Sequence, residues 1–153
     1  MPNPINIKES LYNHCMQYVV ERIERIQNEI DTYQAAANEE TKSSAGDKYE
    51  TGRAMAQLEI ERNSVQLREA EKLKSVLQSI VPGNSTDVVV PGSLITTSKG
   101  VFYLAISIGE VMLNQQNHFI ISSDSPIGKL LLGKRAGEEI VWRNVVYKIE
   151  SIE

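Results

Sequence analysis

From Tyr12 to Ala37 the apolar residues return at alternating steps of four and three. Tyr12, Met16, Val19, Ile23, Ile26, Ile30, Tyr33 and Ala37 keep that rhythm, with charged and amide side chains between them, as in ERIERIQNEI. A mean step of 3.5 holds one stripe in line along a supercoiled helix, so the pattern predicts a long helix with a single apolar seam. No Gly or Pro interrupts the chain between Ile5 and Gly46. A helix of roughly 30 residues rises by about 45 Å. A second seam, Ala56, Ile60, Asn63, Leu67, Ala70, Lys74 and Leu77, repeats the step between about Asp47 and Ile80. Two helices of matched length joined by the polar NEETKSSAG predict an antiparallel helical hairpin, its tip at about 38–50. Asn63 falls on the seam, where a polar residue sets register at some cost in stability.

VPGN at 81–84 closes the second helix, and the apolar period then falls to two. Strands are predicted at Asp87–Val90, Ser93–Thr97, Val101–Ile108 and His118–Ser122, with SKG as a hairpin turn. PIGKLLLGK (126–134) suits a short helix that opens on Pro126 and closes near Gly133. EEIVW and VVYKIESI read as two more strands turned by Arg143 and Asn144. The expectation is an α+β chain of two parts: a helical hairpin over 1–81, then a small antiparallel sheet with one short helix over 82–153.

The composition changes this picture little. Sixteen Lys and Arg against 20 Asp and Glu give a net charge of −4, without the basic excess that tight independent DNA binding draws on. The single cysteine, Cys15, allows no internal disulfide and lies in a helical pattern, where packing is the expected role. MPNPINIKES has neither the basic nor the apolar region of a secretory leader, and no apolar run nears the ~20 residues of a membrane span. A cytoplasmic protein without membrane attachment is expected.

Self-contained chemistry is hard to find. His14 and His118 sit in unrelated elements, no glycine-rich phosphate loop precedes a helix, and no nucleophilic triad is suggested. A stalk offers reach, which turns attention to its tip. In SSAGDKYETG (44–53), Asp47 and Glu50 stand three residues apart. That spacing suits a capping box at a helix start. It equally sets two carboxylates on one helical face, where they could share a hard cation such as Mg²⁺ if a partner supplied further ligands.

The stretch ISSDSPIGKLLLGKRAGEEI (121–140) resembles the C-terminal signature of the bacterial GreA/GreB transcript-cleavage factors. Ile121, Ser122, Ser125, Pro126, Gly128, Leu131, Leu132, Gly133, Lys134, Gly137 and Glu138 fall on that pattern. Gly46, Asp47 and Glu50 match the family's tip spacing, and the order of parts agrees along nearly the whole chain. The resemblance implies an FKBP-like C-terminal domain that docks on RNA polymerase at its secondary channel, with the hairpin reaching inward. Asp47 and Glu50 would then be the catalytic acids that hold a Mg²⁺ shared with the polymerase's active centre, near the transcript RNA 3′ end, so that backtracked RNA is cleaved by the polymerase. By the same resemblance Asp124, Ser125 and Pro126 are candidates for polymerase contact, and the chain is no enzyme in itself and has no cofactor of its own. For Ser125 and Pro126 a helix N-cap and first-turn pair is the local alternative. Where the family reads NAEY after the tip Glu, this chain has TGRA, with Thr51, Gly52 and Arg53. That departure keeps open a related regulator that enters the channel without supporting cleavage. A prolyl isomerase or chaperone is a third reading, and it requires an aromatic-lined apolar pocket.

Overall fold

A computed structural model describes the backbone of residues 4–42, 46–81 and 85–153, and side chains over 7–39, 51–81 and 85–153. Helix α1 runs Pro4–Lys42 and α2 runs Gly46–Gln78. Strands β1 (Leu94–Thr97), β2 (Gly100–Ala105), β3 (Gly109–Leu113) and β4 (Gln116–Ser122) follow. Helix α3 (Pro126–Leu131) precedes β5 (Glu139–Trp142) and β6 (Val145–Ile152). The layout is α+β, a long helical pair ahead of a mostly antiparallel sheet with one short helix. The chain forms two compact units, one of Gln17–Lys74 and one of Met1–Met16 with Ser75–Glu153.

In the helical unit the fully buried residues all fall on the two seams. Val19, Ile26, Ala37, Ala56, Asn63 and Ala70 are buried, and Ile23, Ile30, Tyr33, Ile60 and Leu67 are half-buried. Their neighbours face water and pair along their own helix. Gln17 with Glu21 and Gln27 with Asp31 are hydrogen-bonded at i,i+4, and Arg62 meets Glu59 at 2.9 Å. Such exposed pairs each add only a few tenths of a kcal/mol, about 0.2–0.5. The apolar seam is therefore what holds this unit together.

The second unit is built on a six-stranded sheet in the order β3-β4-β2-β1-β6-β5. Central β2 is buried on both faces. One face meets the roots of the long helices: Leu11, Cys15, Leu77 and Ile80 are buried there, and the Tyr12 hydroxyl donates to the Leu77 carbonyl at 3.0 Å. Gly92, with φ +93, lies so close to Ile80 that a Cβ would meet its Cγ2 at 2.7 Å. The other face carries the main core of Val89, Ile95, Phe102, Leu104, Ile127, Leu131, Ile140 and Ile149.

Three expectations need correction. The sheet is not wholly antiparallel, because β2 and β4 pair in parallel with Phe102 opposite Phe119. The predicted strand Val101–Ile108 ends at Ala105, and a separate strand, β3, turns back into β4 through Asn114 and Gln115. Both turn residues take positive φ, 51° and 63°, as a two-residue hairpin requires. Asp87–Val90 is no strand: it makes one isolated bridge, Val88 to Arg135, flanked by Val89 N–H to the Lys134 carbonyl at 2.8 Å and Gly133 N–H to the Val89 carbonyl at 2.9 Å. Those bonds tether the segment to the loop after α3, which leaves it nothing to pair with in the sheet.

Candidate functional site

The backbone from Gly46 to Glu50 forms the first turn of α2. The side chains of Asp47 and Glu50 lie outside the described residues, so the cation expected between them does too. Among the described residues no group of three or more His, Cys, Asp and Glu could hold a metal ion. Two carboxylates alone are still a donor set that suits Mg²⁺, which commonly takes one or two protein carboxylates and keeps several waters. After the tip, Thr51, Gly52 and Arg53 continue the helix, and Thr51 and Arg53 are exposed.

The loop before α3 is fixed by a dense set of short bonds. Ser125 is the N-cap, with φ −67 and ψ 154, and its Oγ accepts from the Gly128 N–H at 3.1 Å. The same hydroxyl donates to the Ser122 carbonyl at 2.7 Å, and the Ser125 N–H donates to the Ser122 Oγ at 3.1 Å. Pro126 takes the first helical position, where no N–H is needed. Gly128 has no room for a Cβ, which would run into the Ser122 carbonyl oxygen. Leu131 is fully buried in the main core, and Ile127 stands beside it. Gly133 and Gly137 take positive φ, 81° and 92°. Glu138 turns back to accept from the Arg135 N–H at 2.7 Å. Each of these signature residues thus has a structural task. Asp124 and Pro126 remain exposed on the loop, with Ser125 half-buried between them.

Beside this loop lies a feature that residue order alone did not assemble. A cavity of about 280 Å³ is lined by Lys99, Phe102, Phe119, Ile121, Ile127, Trp142 and Tyr147. The aromatic residues are visible in the sequence, and their period-two placement assigns them to strands. What brings Phe102 and Phe119 together is the parallel β2–β4 register, which sets their ring centroids 5.5 Å apart. Phe102 also meets Tyr147 edge-on at 6.0 Å and 68°. Arg143 stacks over the Trp142 ring at 4.3 Å.

Among the described residues the remaining reactive side chains form no cluster of three or more that could hold a metal ion. Cys15 is inaccessible, and burial pushes its thiol up to about 12, in keeping with packing. Tyr103, buried on the same face, is also raised by burial, with Cys15 and Tyr12 adding to the effect. His14 is exposed, whereas His118 is buried and its Nδ1 has no partner among the described residues. No helix among the described residues is long and apolar enough to cross a membrane. Neither the family models nor the curated proteins compared with the chain match it.

Proposed function

We propose that this chain is a transcription elongation factor of the GreA/GreB kind, which binds RNA polymerase through its secondary channel and stimulates cleavage of backtracked transcripts. One observation carries the reading: a single chain joins a long helical pair, with Gly46, Asp47 and Glu50 at its turn, to an α+β unit bearing the ISSDSPIGKLLLGK signature. The rigid loop at 122–128 supports it as well, since it presents Asp124 and Pro126 on a fixed backbone that a partner could recognise without ordering it first. In this reading the chain works in the cytoplasm and is not itself an enzyme. Asp47 and Glu50 bring two carboxylates to a Mg²⁺ held mainly by the polymerase. The ion supplies the charge stabilisation of two-metal phosphodiester hydrolysis. The acids position it, and Asp124 to Pro126 anchor the base.

The test is a stalled elongation complex carrying end-labelled RNA. Added protein shortens the backtracked transcript, and Asp47→Asn or Glu50→Gln lowers the cleavage rate at least 10²-fold while polymerase binding persists. Binding with slowed synthesis and no cleavage would instead favour the non-cleaving regulator, which the TGRA stretch after Glu50 motivates. Absence of polymerase binding overturns both.

A further inference from the structure

We propose that strand β5 pairs with β5 of a second copy of this chain, joining the two sheets into one across a two-fold axis. This inference stands apart from the polymerase reading and does not depend on it. β5 is an edge of the sheet, hydrogen-bonded to β6 alone. Trp142 opposes Val145 across the two-residue turn, and the Ile149 N–H donates to the Glu138 carbonyl at 2.8 Å. Backbone groups alternate in direction along a strand, so Glu138, Ile140 and Trp142 serve β6. Glu139 and Val141 therefore turn their N–H and C=O to the open side, where no described residue bonds to them. Their side chains share the outer face. There Val141 is 59% exposed, and Val146, directly opposite it on β6, is 47% exposed. An open edge beside an exposed apolar pair is a template for another strand.

Charge and face then select a second copy as the occupant. In a symmetric antiparallel pair, like faces meet only when the two-fold axis passes through a residue. An axis at Glu139 sets two glutamates opposite each other, and one at Ile140 sets Glu139 against Val141. An axis at Val141 sets valine against valine, Ile140 against Trp142, and Glu139 against Arg143 of the second copy on both sides. Val146, Val141 and their symmetry mates then make one apolar row across the joined strands. Lys148 lies opposite Glu139 on β6, so the flanking rows alternate in sign. Arg143 is already held over the Trp142 ring at 4.3 Å, which leaves little of it to order on pairing. Neither Glu139 nor Arg143 has an ion-pair partner among the described residues.

Sedimentation equilibrium of the full chain tests the pairing. An edge of four residues makes a small interface, so a monomer–dimer equilibrium with a Kd between about 10 µM and about 1 mM is expected. Glu139→Lys and Arg143→Glu each weaken it about tenfold, and the double variant regains the parent's Kd within about threefold. Val141→Cys gives a disulfide-linked dimer in air, because the axis brings the two positions within the reach of about 7 Å, and buried Cys15 does not compete. Glu139→Cys does not, since its two positions stand about 13 Å apart along the joined strands. The proposal is overturned if the chain stays monomeric at about 1 mM. Single and double charge variants that dimerise alike overturn it too, as does equal crosslinking of the two cysteine variants. Assemblies larger than a dimer would place the contact on a surface that does not close, and would also overturn it.

Discussion

Ile26 in the helical pair and Ile149 in the sheet unit are both almost inaccessible, at 4% and 0%, yet they are kept dry by different means. Ile26 is covered by a seam that repeats every three or four residues, and the positions on either side of it face water. Ile149 belongs to a cluster gathered from β1, β2, α3, β5 and β6 and from the Val89 segment. In the helical unit the buried residues are strung out along the two helices, with half-buried and exposed positions between them. In the sheet unit backbone, cap and core meet at the same few residues, and a change at one is felt by all.

Gly128 is where the difference is largest. Its missing Cβ makes room for the Ser122 carbonyl, which also accepts the Ser125 hydroxyl. Gly128→Ala forces backbone against side chain in a packed corner, at an expected cost of about 3 kcal/mol, the upper part of the range for overpacking. Urea unfolding followed by Trp142 emission reads this, because that residue lies in the sheet unit. A loss below about 1 kcal/mol, no more than a surface change gives, would break the contrast between the units.

Cys15 sharpens the comparison where α1 leaves one unit for the other. Burial raises its thiol from 9.0 to about 12. The folded chain therefore holds a proton that the unfolded chain releases above pH 9.0, so this contribution to stability is complete below that value and is lost as pH rises toward 12. One pH unit above the ordinary value the loss amounts to about 1.4 kcal/mol. Tyr103 acts in the same direction, whereas Lys8, lowered by burial against the opposing pull of Glu153, acts in the other. Unfolding free energies of the parent and Cys15→Ala between pH 8 and 10.5 read the thiol's contribution together with the part of the Tyr103 shift that depends on it. The variant starts lower because of its cavity but falls less steeply with pH. Parallel slopes would mean that the thiol at the helix root is open to solvent.

The two units were also unequally legible. The seams of α1 and α2 could be read because a 3.5-residue period is local, and Ala56, Ile60, Asn63, Leu67 and Ala70 are all at least half-buried where the period puts them. Leu11 is buried although it lies off the seam, so the seam period does not point to it. The turn at Arg143 and Asn144 was legible from its residues, and both take positive φ. The parallel pairing of β2 with β4 left no local trace, because it depends on β3 carrying the chain out and back. Without that register Phe102 and Phe119 remain two isolated aromatics, and the cavity between them stays hidden. The Ser125 cap could be read in advance from Ser-Pro, whereas the need for glycine at 128 shows only against the Ser122 carbonyl.

Asn63 gives the smallest effect and the most pointed test of the helical unit. It is 6% exposed on a seam that is otherwise mostly apolar, flanked one step away by Ile60 and Leu67. Burying an amide there costs about 1 kcal/mol relative to an apolar side chain that fills the same space. Asn63→Leu is therefore expected to raise the stability of the helical unit by about that amount, read as a higher urea midpoint by circular dichroism at 222 nm. Trp142 emission, which reports the sheet unit, should shift less. If a polar seam residue fixes the pairing, the stabilised variant also loses uniqueness: cysteine pairs placed across the seam one heptad out of register will crosslink in Asn63→Leu and not in the parent. Stability without crosslinking would leave Asn63 as a cost with no return. Crosslinking would show that the seam gives up stability there to hold one register.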